Sequence, residues 1–146
     1  MKKEFRRFIS NEEEQRILQA IARAEKNTSG EIRVHLQRNK PGEIMENAAR
    51  TFEKLGMHQT SLRNGILFYI DIDRKQFAVI GDKGIHEKAG KDFWEKLAGI
   101  LHTYFRQGKY AEGIIRAIDE AGVQLKKYFP YQPNDVNELP DEISYD

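Results

Sequence analysis

The sequence predicts an α/β protein, in which a small mixed β-sheet of three to four strands is sandwiched between helices. Short runs of apolar and β-branched residues alternate with longer runs in which apolar residues recur every three or four positions. The connection between the first two strands is long enough for a parallel crossover, whereas the next connection is short enough for a hairpin. A chain of 146 residues suits one such domain.

The N-terminal part of the chain predicts helix, strand and helix in that order. Ser10 and Glu13 have the spacing of a capping box, and the residues that follow carry one apolar stripe. Residues 31–37 alternate polar and apolar side chains, which is typical of a strand with one buried face. A second helix is expected to open after Gly42 and to end at Gly56.

The middle of the chain predicts two strands, and the part after them predicts helices. Residues 65–70 are continuously apolar, as expected for an inner strand covered on both faces. Residues 76–80 resume the apolar pattern after a short polar turn, so these two strands form an antiparallel hairpin. After Gly81 the chain is expected to be helical as far as residue 129, with a break at Gly108.

Charge and proline are unevenly distributed along the chain. The net charge is +1, but residues 130–146 contain five carboxylates and no Lys or Arg, which leaves residues 1–129 with +6. Three of the four prolines also lie in the acidic segment, and proline disfavours regular structure. We therefore predict one domain over residues 1–130 and an acidic, extended tail over residues 131–146. Folding of this tail over a basic face is the alternative.

Composition argues against several classes of protein. The absence of cysteine excludes a disulfide scaffold, a thiolate zinc site and a cysteine nucleophile. A net charge near zero argues against a dedicated nucleic-acid binder. The longest apolar run, residues 66–70, is far shorter than the roughly 20 residues that cross a bilayer. The basic N-terminus leads into residues 10–14, which are polar where a signal peptide is apolar, so we expect a cytoplasmic protein.

The predicted topology places oxygen-bearing side chains at both edges of the sheet. Glu31, Asn64 and Asp82 fall at one edge, and Asp71 and Asp73 fall at the other. Such oxygen ligands suit Ca²⁺ or Mg²⁺. The first edge is the stronger candidate, because neighbouring glycines would let the backbone approach an ion closely. In the alternative interpretation, these side chains have only structural roles: Asp82 caps a helix, and Asp71 and Asp73 are turn residues.

Catalytic motifs are absent from the sequence. No serine lies in a G-x-S-x-G elbow, and the histidines are too scattered for a zinc enzyme. The glycines around Lys83 lack the spacing of a phosphate-binding loop. Lys83 nevertheless begins a predicted helix, where it is a candidate to meet an anion.

Four blocks of sequence, in order and without large gaps, resemble the TPM domain family. They read SGEIRV at 29–34, RNGILFYI at 63–70, FAVIGDKGI at 77–85 and FRQGKYAEGII at 105–115. The family is named for thylakoid, photosystem II repair and nicotinic-receptor-modulator members. The resemblance implies an α/β/α sandwich, Rossmann-like in the broad sense, with helices on both faces of the sheet. Within this family, the chain resembles the short cytoplasmic bacterial type.

The resemblance also implies a divalent-cation site, and the matching positions are Glu31, Asn64 and Asp82. We therefore expect a protein that binds Ca²⁺ or Mg²⁺ and serves as a binding or regulatory module for an unidentified protein partner. A plant relative is described as an acid phosphatase, so metal-dependent hydrolysis of phosphomonoesters is the alternative. Arg63 and Lys83 would then face the phosphoryl oxygens. An ion-free structural interaction domain is the second alternative.

Overall fold

The structure is a computed structural model that describes residues 2–131 and 141–146. After a short 3₁₀ helix at Lys2–Phe5, helices and strands alternate through the first half of the chain. The strands are β1 (Glu31–Gln37), β2 (Gly65–Asp71), β3 (Gln76–Gly81) and β4 (Ile143–Tyr145). The helices are α1 (Asn11–Glu25), α2 (Ile44–Lys54), α3 (Lys83–Lys88), α4 (Lys91–Arg106) and α5 (Tyr110–Tyr128).

The four strands form one mixed sheet in the order β3-β2-β1-β4. β1 and β2 are parallel, with α2 as the crossover between them, and Glu31 lies opposite Gly65. β2 and β3 form the antiparallel hairpin. The predicted fold class, a small mixed sheet flanked by helices, is therefore confirmed.

Local signals account for the ends of several elements. The Glu13 N–H donates to Ser10 Oγ at 3.1 Å, and the Ser10 N–H donates to Glu13 Oε1 at 2.9 Å, which completes the capping box of α1. Gly56 and Gly108 follow α2 and α4 with φ of +73° and +71°, a conformation that favours glycine. Both glycines were expected to end helices.

The last strand comes from the segment that the sequence assigns to an extended tail. Ile143–Tyr145 pairs in parallel with β1, and Ile143 is buried. The Tyr145 ring packs edge-on against Phe5, with 4.9 Å between the ring centroids. Glu142, just before the strand, forms an ion pair with Arg33 of β1. Residues 132–140, which carry the rest of the predicted tail, lie outside the described residues.

The two faces of the sheet are covered unequally. α1, α4 and α5 pack on one face around a large core that includes Ile32, Val34 and Leu36 of β1. α2 covers the other face over a small cluster, made of Ala48, Phe52, Met57, Leu67, Tyr69 and Ala78. No helix among the described residues is long and apolar enough to cross a membrane.

β1 is buried on both faces, although its alternating pattern predicted one buried face. Its polar residues lie on the α2 face, and all of them are less than a tenth exposed: Glu31, Arg33, His35 and Gln37. β1 is an inner strand between β2 and β4, and two of its polar side chains have partners at or next to β4: Arg33 pairs with Glu142, and His35 lies beside Ser144.

Candidate functional site

Asp82, the C-terminal member of the first predicted set, is held by protein groups. Arg63 grips the carboxylate with two hydrogen bonds, Nε to Oδ2 at 2.6 Å and Nη2 to Oδ1 at 2.8 Å. Oδ1 also accepts from the Lys83 N–H at 2.8 Å, which caps α3. Burial alone would raise the pKa of Asp82, but the Arg63 guanidinium and the Lys83 N–H outweigh it and lower the pKa. Asp82 is therefore a charged helix cap.

The glycines near Asp82 are required by close packing. A Cβ on Gly81 would lie 2.1 Å from the Trp94 ring, and a Cβ on Gly84 would lie 2.3 Å from the Leu62 carbonyl oxygen. Both distances are far below van der Waals contact. The tight turn at Asp82 thus needs glycine on each side, with or without an ion.

The second predicted set, Asp71 and Asp73, is also engaged. Asp71 is fully buried and accepts from the backbone N–H groups of Asn39, Lys40 and Arg74 at 2.8 to 3.1 Å. Asp73 receives two hydrogen bonds from Arg38, the shorter at 2.8 Å. The two carboxylates organise the loops at this edge of the sheet.

Glu31 and Asn64 lie side by side at the start of β1 and β2. The Glu31 N–H donates to the Asn64 carbonyl oxygen at 3.3 Å, and both residues are almost fully buried. The Asn64 amide donates from Nδ2 to Ser29 Oγ at 3.4 Å. Asn64 Oδ1 is buried and accepts no hydrogen bond from the described residues. This oxygen is free to accept from, or coordinate, something else.

Two further carboxyl groups lie near Glu31 without converging with it on a single point, and the sequence did not point to either. Glu25, at the end of α1, accepts from the Ile32 N–H at 2.7 Å and meets the carboxyl group of Asp141. Burial, then the contact with Asp141 and the charge of Glu31, raise the pKa of Glu25 far above its usual range. Two carboxyl groups in contact need a shared proton or a cation between them. We call Glu25, Glu31 and Asp141 the carboxylate cluster.

The structure brings together two of the three predicted ligands of the first edge. Glu31 and Asn64 are adjacent, while Asp82 is bound by Arg63. In the part of the chain that is described, no three His, Asp or Glu side chains converge into a preformed metal centre. The turn over residues 27–30, which reverses the chain between Glu25 and Glu31, is the one sequence signal that could have paired these two carboxylates.

His35 forms a polar contact that the sequence did not predict. The ring stacks on Tyr69, with centroids 5.4 Å apart, and Nδ1 lies 2.7 Å from Ser144 Oγ on β4. Nε2 lies 3.1 Å from Gln37 Oε1 and 3.7 Å from an Asp146 carboxylate oxygen. Burial lowers the pKa of His35, so the ring is neutral at pH 7. Because His35 is only 1% exposed, this contact ties β4 to β1 rather than facing a substrate.

Comparison with known proteins identifies one family and several similar structures. Residues 3–124 match the family model of the TPM domain. The NMR structure of the BA42 protein from the psychrophilic bacterium Bizionia argentinensis is 42% identical, with a TM-score of 0.91. The alignment covers 95% of this chain and 96% of BA42. No curated protein sequence matches the chain.

Two more distant structures share the fold. The N-terminal domain of a protein from P. gingivalis is 20% identical with a TM-score of 0.66, over 84% of this chain and 79% of that chain. The N-terminal domain of the cg2496 protein from Corynebacterium glutamicum is 11% identical with a TM-score of 0.64, over 92% and 79%. At these identities the likeness concerns the fold alone.

Proposed function

The chain belongs to the TPM domain family, and from that premise we propose that it is a binding or regulatory module that holds Ca²⁺ or Mg²⁺ at the carboxylate cluster. The observation that carries this proposal is the contact of Glu25 with Asp141 beside the buried Glu31. Ionised carboxylates this close repel one another strongly in a partly buried setting. A divalent cation relieves that repulsion at neutral pH without keeping a proton bound.

The chemistry of the donor atoms supports this proposal, although the carboxylates do not form a preformed metal centre among the described residues. Carboxylate and amide oxygens are the ligands that Ca²⁺ and Mg²⁺ prefer. Asn64 supplies the amide oxygen, because Oδ1 is buried beside Glu31 with no hydrogen-bond donor among the described residues. A bound ion would offset two of the three negative charges of the cluster and join the end of α1, the start of β1 and the residues before β4. Asp71, Asp73 and Asp82 fit less well, because protein N–H groups already occupy their oxygens.

The direct test is an NMR titration of backbone amides with CaCl₂ and, separately, with MgCl₂. We expect shifts at Glu31, Asn64 and Asp141, and a rise in melting temperature, because a ligand that binds only the folded state stabilises it. Binding should tighten from pH 6 to pH 8, since the cation displaces a proton from Glu25. Glu31→Gln is expected to abolish the shifts.

Asp73→Asn is the matched control, since it removes a carboxylate at the opposite edge of the sheet and should leave the titration unchanged. Shifts confined to Asp71 and Asp73 would instead locate the ion at that edge. Unchanged spectra with both metals would refute the proposal and favour an ion-free interaction domain. The same samples, assayed on a phosphomonoester with and without EDTA, test the acid-phosphatase alternative. That alternative draws no support from Arg63, which is bound to Asp82.

A further inference from the structure

A cavity on the far side of the molecule from the carboxylate cluster has no role in the function proposed above. It measures about 590 Å³ and lies where the turn between β2 and β3 meets the start of α2 and the junction of α4 and α5. Its lining residues are Ile44, Lys75, Gln76, Phe77, His102, Phe105, Arg106, Gly108 and Tyr110. Cavities of this size commonly hold small organic ligands.

Aromatic rings form one wall of this cavity. Phe77 meets His102 and Phe105 edge-to-face, with centroids 4.9 Å and 5.6 Å apart, and Phe105 meets Tyr110 in the same way at 5.2 Å. Phe77, Phe105 and Tyr110 are partly buried and rest against the large core, so the wall is fixed in place. A flat ring is the chemical group that packs best on such a wall.

The charges around the cavity are of one sign. Lys75 and Arg106 line it and are exposed, and no Asp or Glu is among the lining residues. Most arginines in the described part of the chain pair with a carboxylate, yet neither Lys75 nor Arg106 has an ion-pair partner there. The N-terminus of α5 lies at the rim, beside Gly108 and Tyr110, and has no side-chain cap. Unpaired cations and free backbone N–H groups favour an anion.

From these observations we infer that the cavity is a binding site for a small molecule that combines a flat aromatic ring with an anionic group. The ring packs on Phe77 and Phe105, and the anion meets Lys75 and Arg106. Neither a ring nor an anion alone satisfies both halves of the site. A carboxylate and a phosphate both supply the negative charge that this site calls for, and the two probes used below distinguish between them.

The test is NMR titration of the full chain with adenosine 5′-monophosphate and, separately, with 4-hydroxyphenylacetate. We expect shifts at Phe77, His102, Phe105 and Tyr110 with at least one of the two probes, and the successful probe identifies the anion. Adenosine and 4-hydroxyphenylethanol, which lack the charge, should bind roughly tenfold more weakly. Arg106→Gln and Lys75→Gln should each weaken binding by roughly two- to fivefold.

Both variants alter exposed side chains, so the fold should survive them. Lys26→Gln removes an exposed cation far from the cavity and should leave the affinity unchanged. Phe77→Leu keeps the position apolar but removes a ring, and it should weaken the binding of both the charged probe and its neutral counterpart. The inference fails if neither anion shifts these signals, if the neutral compounds bind equally well, or if Arg106→Gln and Lys75→Gln bind as tightly as the wild type.

Discussion

At the scale of single residues, Glu25 links proton binding to folding. Burial and the contact with Asp141 raise its pKa above the ordinary value of 4.5, so the folded state keeps a proton that the unfolded state releases. Stability therefore falls as pH rises above 4.5 toward the folded-state pKa. Glu25→Gln keeps an oxygen for the Ile32 N–H and offers Asp141 a donor. We expect it to raise the free energy of unfolding at pH 8 by about 1 to 2 kcal/mol.

Urea unfolding of the metal-free protein at pH 4.5 and pH 8 measures this effect. The gain in the free energy of unfolding should be small at pH 4.5, where Glu25 also binds a proton in the unfolded chain. Glu53→Gln is the control, because Glu53 is an exposed residue of α2 and has no ion pair with a described residue. An equal change at both pH values would mean that Glu25→Gln acts through packing and not through the proton.

Gly84 and Gly99 are a matched pair of helical glycines with opposite surroundings. A Cβ on Gly84 would meet the carbonyl oxygens of Leu62 and Arg63 at 2.3 and 2.6 Å, whereas nothing lies within 4 Å of a Cβ on Gly99. Gly84→Ala should lower the free energy of unfolding by about 2 kcal/mol or more, since backbone must move. Gly99→Ala should raise it by about 0.5 to 1 kcal/mol, because alanine favours the helix. Thermal denaturation that shifts in the same direction for both would contradict this account.

At the scale of elements, β4 is fastened to β1 by a histidine that is neutral in the folded state. Burial lowers the pKa of His35 below 6.5, so the unfolded state takes up a proton first as the pH falls. The stability that depends on neutral His35 is complete above pH 6.5 and is lost below it. The groups that face or approach its ring are Arg33, Gln37, Lys54, Tyr69, Ser144 and Asp146.

Acid should therefore loosen β4 before the rest of the sheet. The Asp146 N–H donates to the Leu36 carbonyl oxygen at 3.0 Å and reports on this pairing. We expect its protection against hydrogen exchange, corrected for the intrinsic rate, to fall roughly three- to tenfold from pH 7 to pH 5. His35→Phe keeps a ring against Tyr69 but cannot titrate, so the fall should be much smaller. An unchanged fall in the variant would show that the loosening of β4 does not depend on His35.

The elements that the sequence predicted are those with local signals. The capping box at Ser10, the glycine stops and the apolar run of β2 depend on neighbours along the chain, and the structure has them where expected. β4 was not predicted, because it is three residues long and its contact from Ser144 to His35 spans 109 positions. Acidic residues and prolines before it are typical of a tail, and only the pairing with β1 makes it a strand.

Only part of the candidate site was likewise predictable from the sequence. Parallel pairing of β1 with β2 correctly placed Glu31 beside Asn64. The choice of Arg63 as the partner of Asp82 depends on how a loop turns, which the sequence pattern does not encode. Asp141 arrives at the cluster only because β4 pairs with β1. Contacts between distant segments thus account for most of what the sequence missed.

At the scale of the whole molecule, the near-zero net charge comes from segments that meet in the fold. The acidic end of the chain contributes Glu142 to Arg33, and Asp146 lies 3.4 Å from the Lys54 ammonium. Glu142 and Asp146 thus lie against basic side chains of the rest of the protein, whereas Asp141 meets the carboxyl group of Glu25. Residues 1–129 carry a net charge of +6. Partial neutralisation of this charge stabilises the compact state, because it reduces repulsion among the positive side chains.

The unequal cores on the two faces of the sheet predict that the molecule opens in two stages. α5 contributes seven buried hydrophobic residues to the large core, whereas α2 contributes two, Ala48 and Phe52, to the small cluster. Helices with few buried apolar contacts open at lower free energy than the core. In native-state hydrogen exchange we therefore expect the amides of α2 to exchange through a partial opening and those of α5 only through global unfolding. Phe52→Ala, which removes the largest side chain that α2 buries, should lower the opening free energy of α2 by about 3 kcal/mol.

The corresponding change on the other face is Leu101→Ala in α4, whose side chain is fully buried in the large core. It should lower the free energy of global unfolding, measured at α5, by about 3 kcal/mol. The gap between the opening free energies of α2 and α5 should then shrink, because the free energy of global unfolding is the upper limit for the opening of every amide. Phe52→Ala should instead widen this gap, since the substitution destabilises α2 most. Equal losses at α2 and α5 in the Phe52→Ala protein would show that the two faces unfold as one unit, and that the small cluster is as firmly coupled to the sheet as the large core.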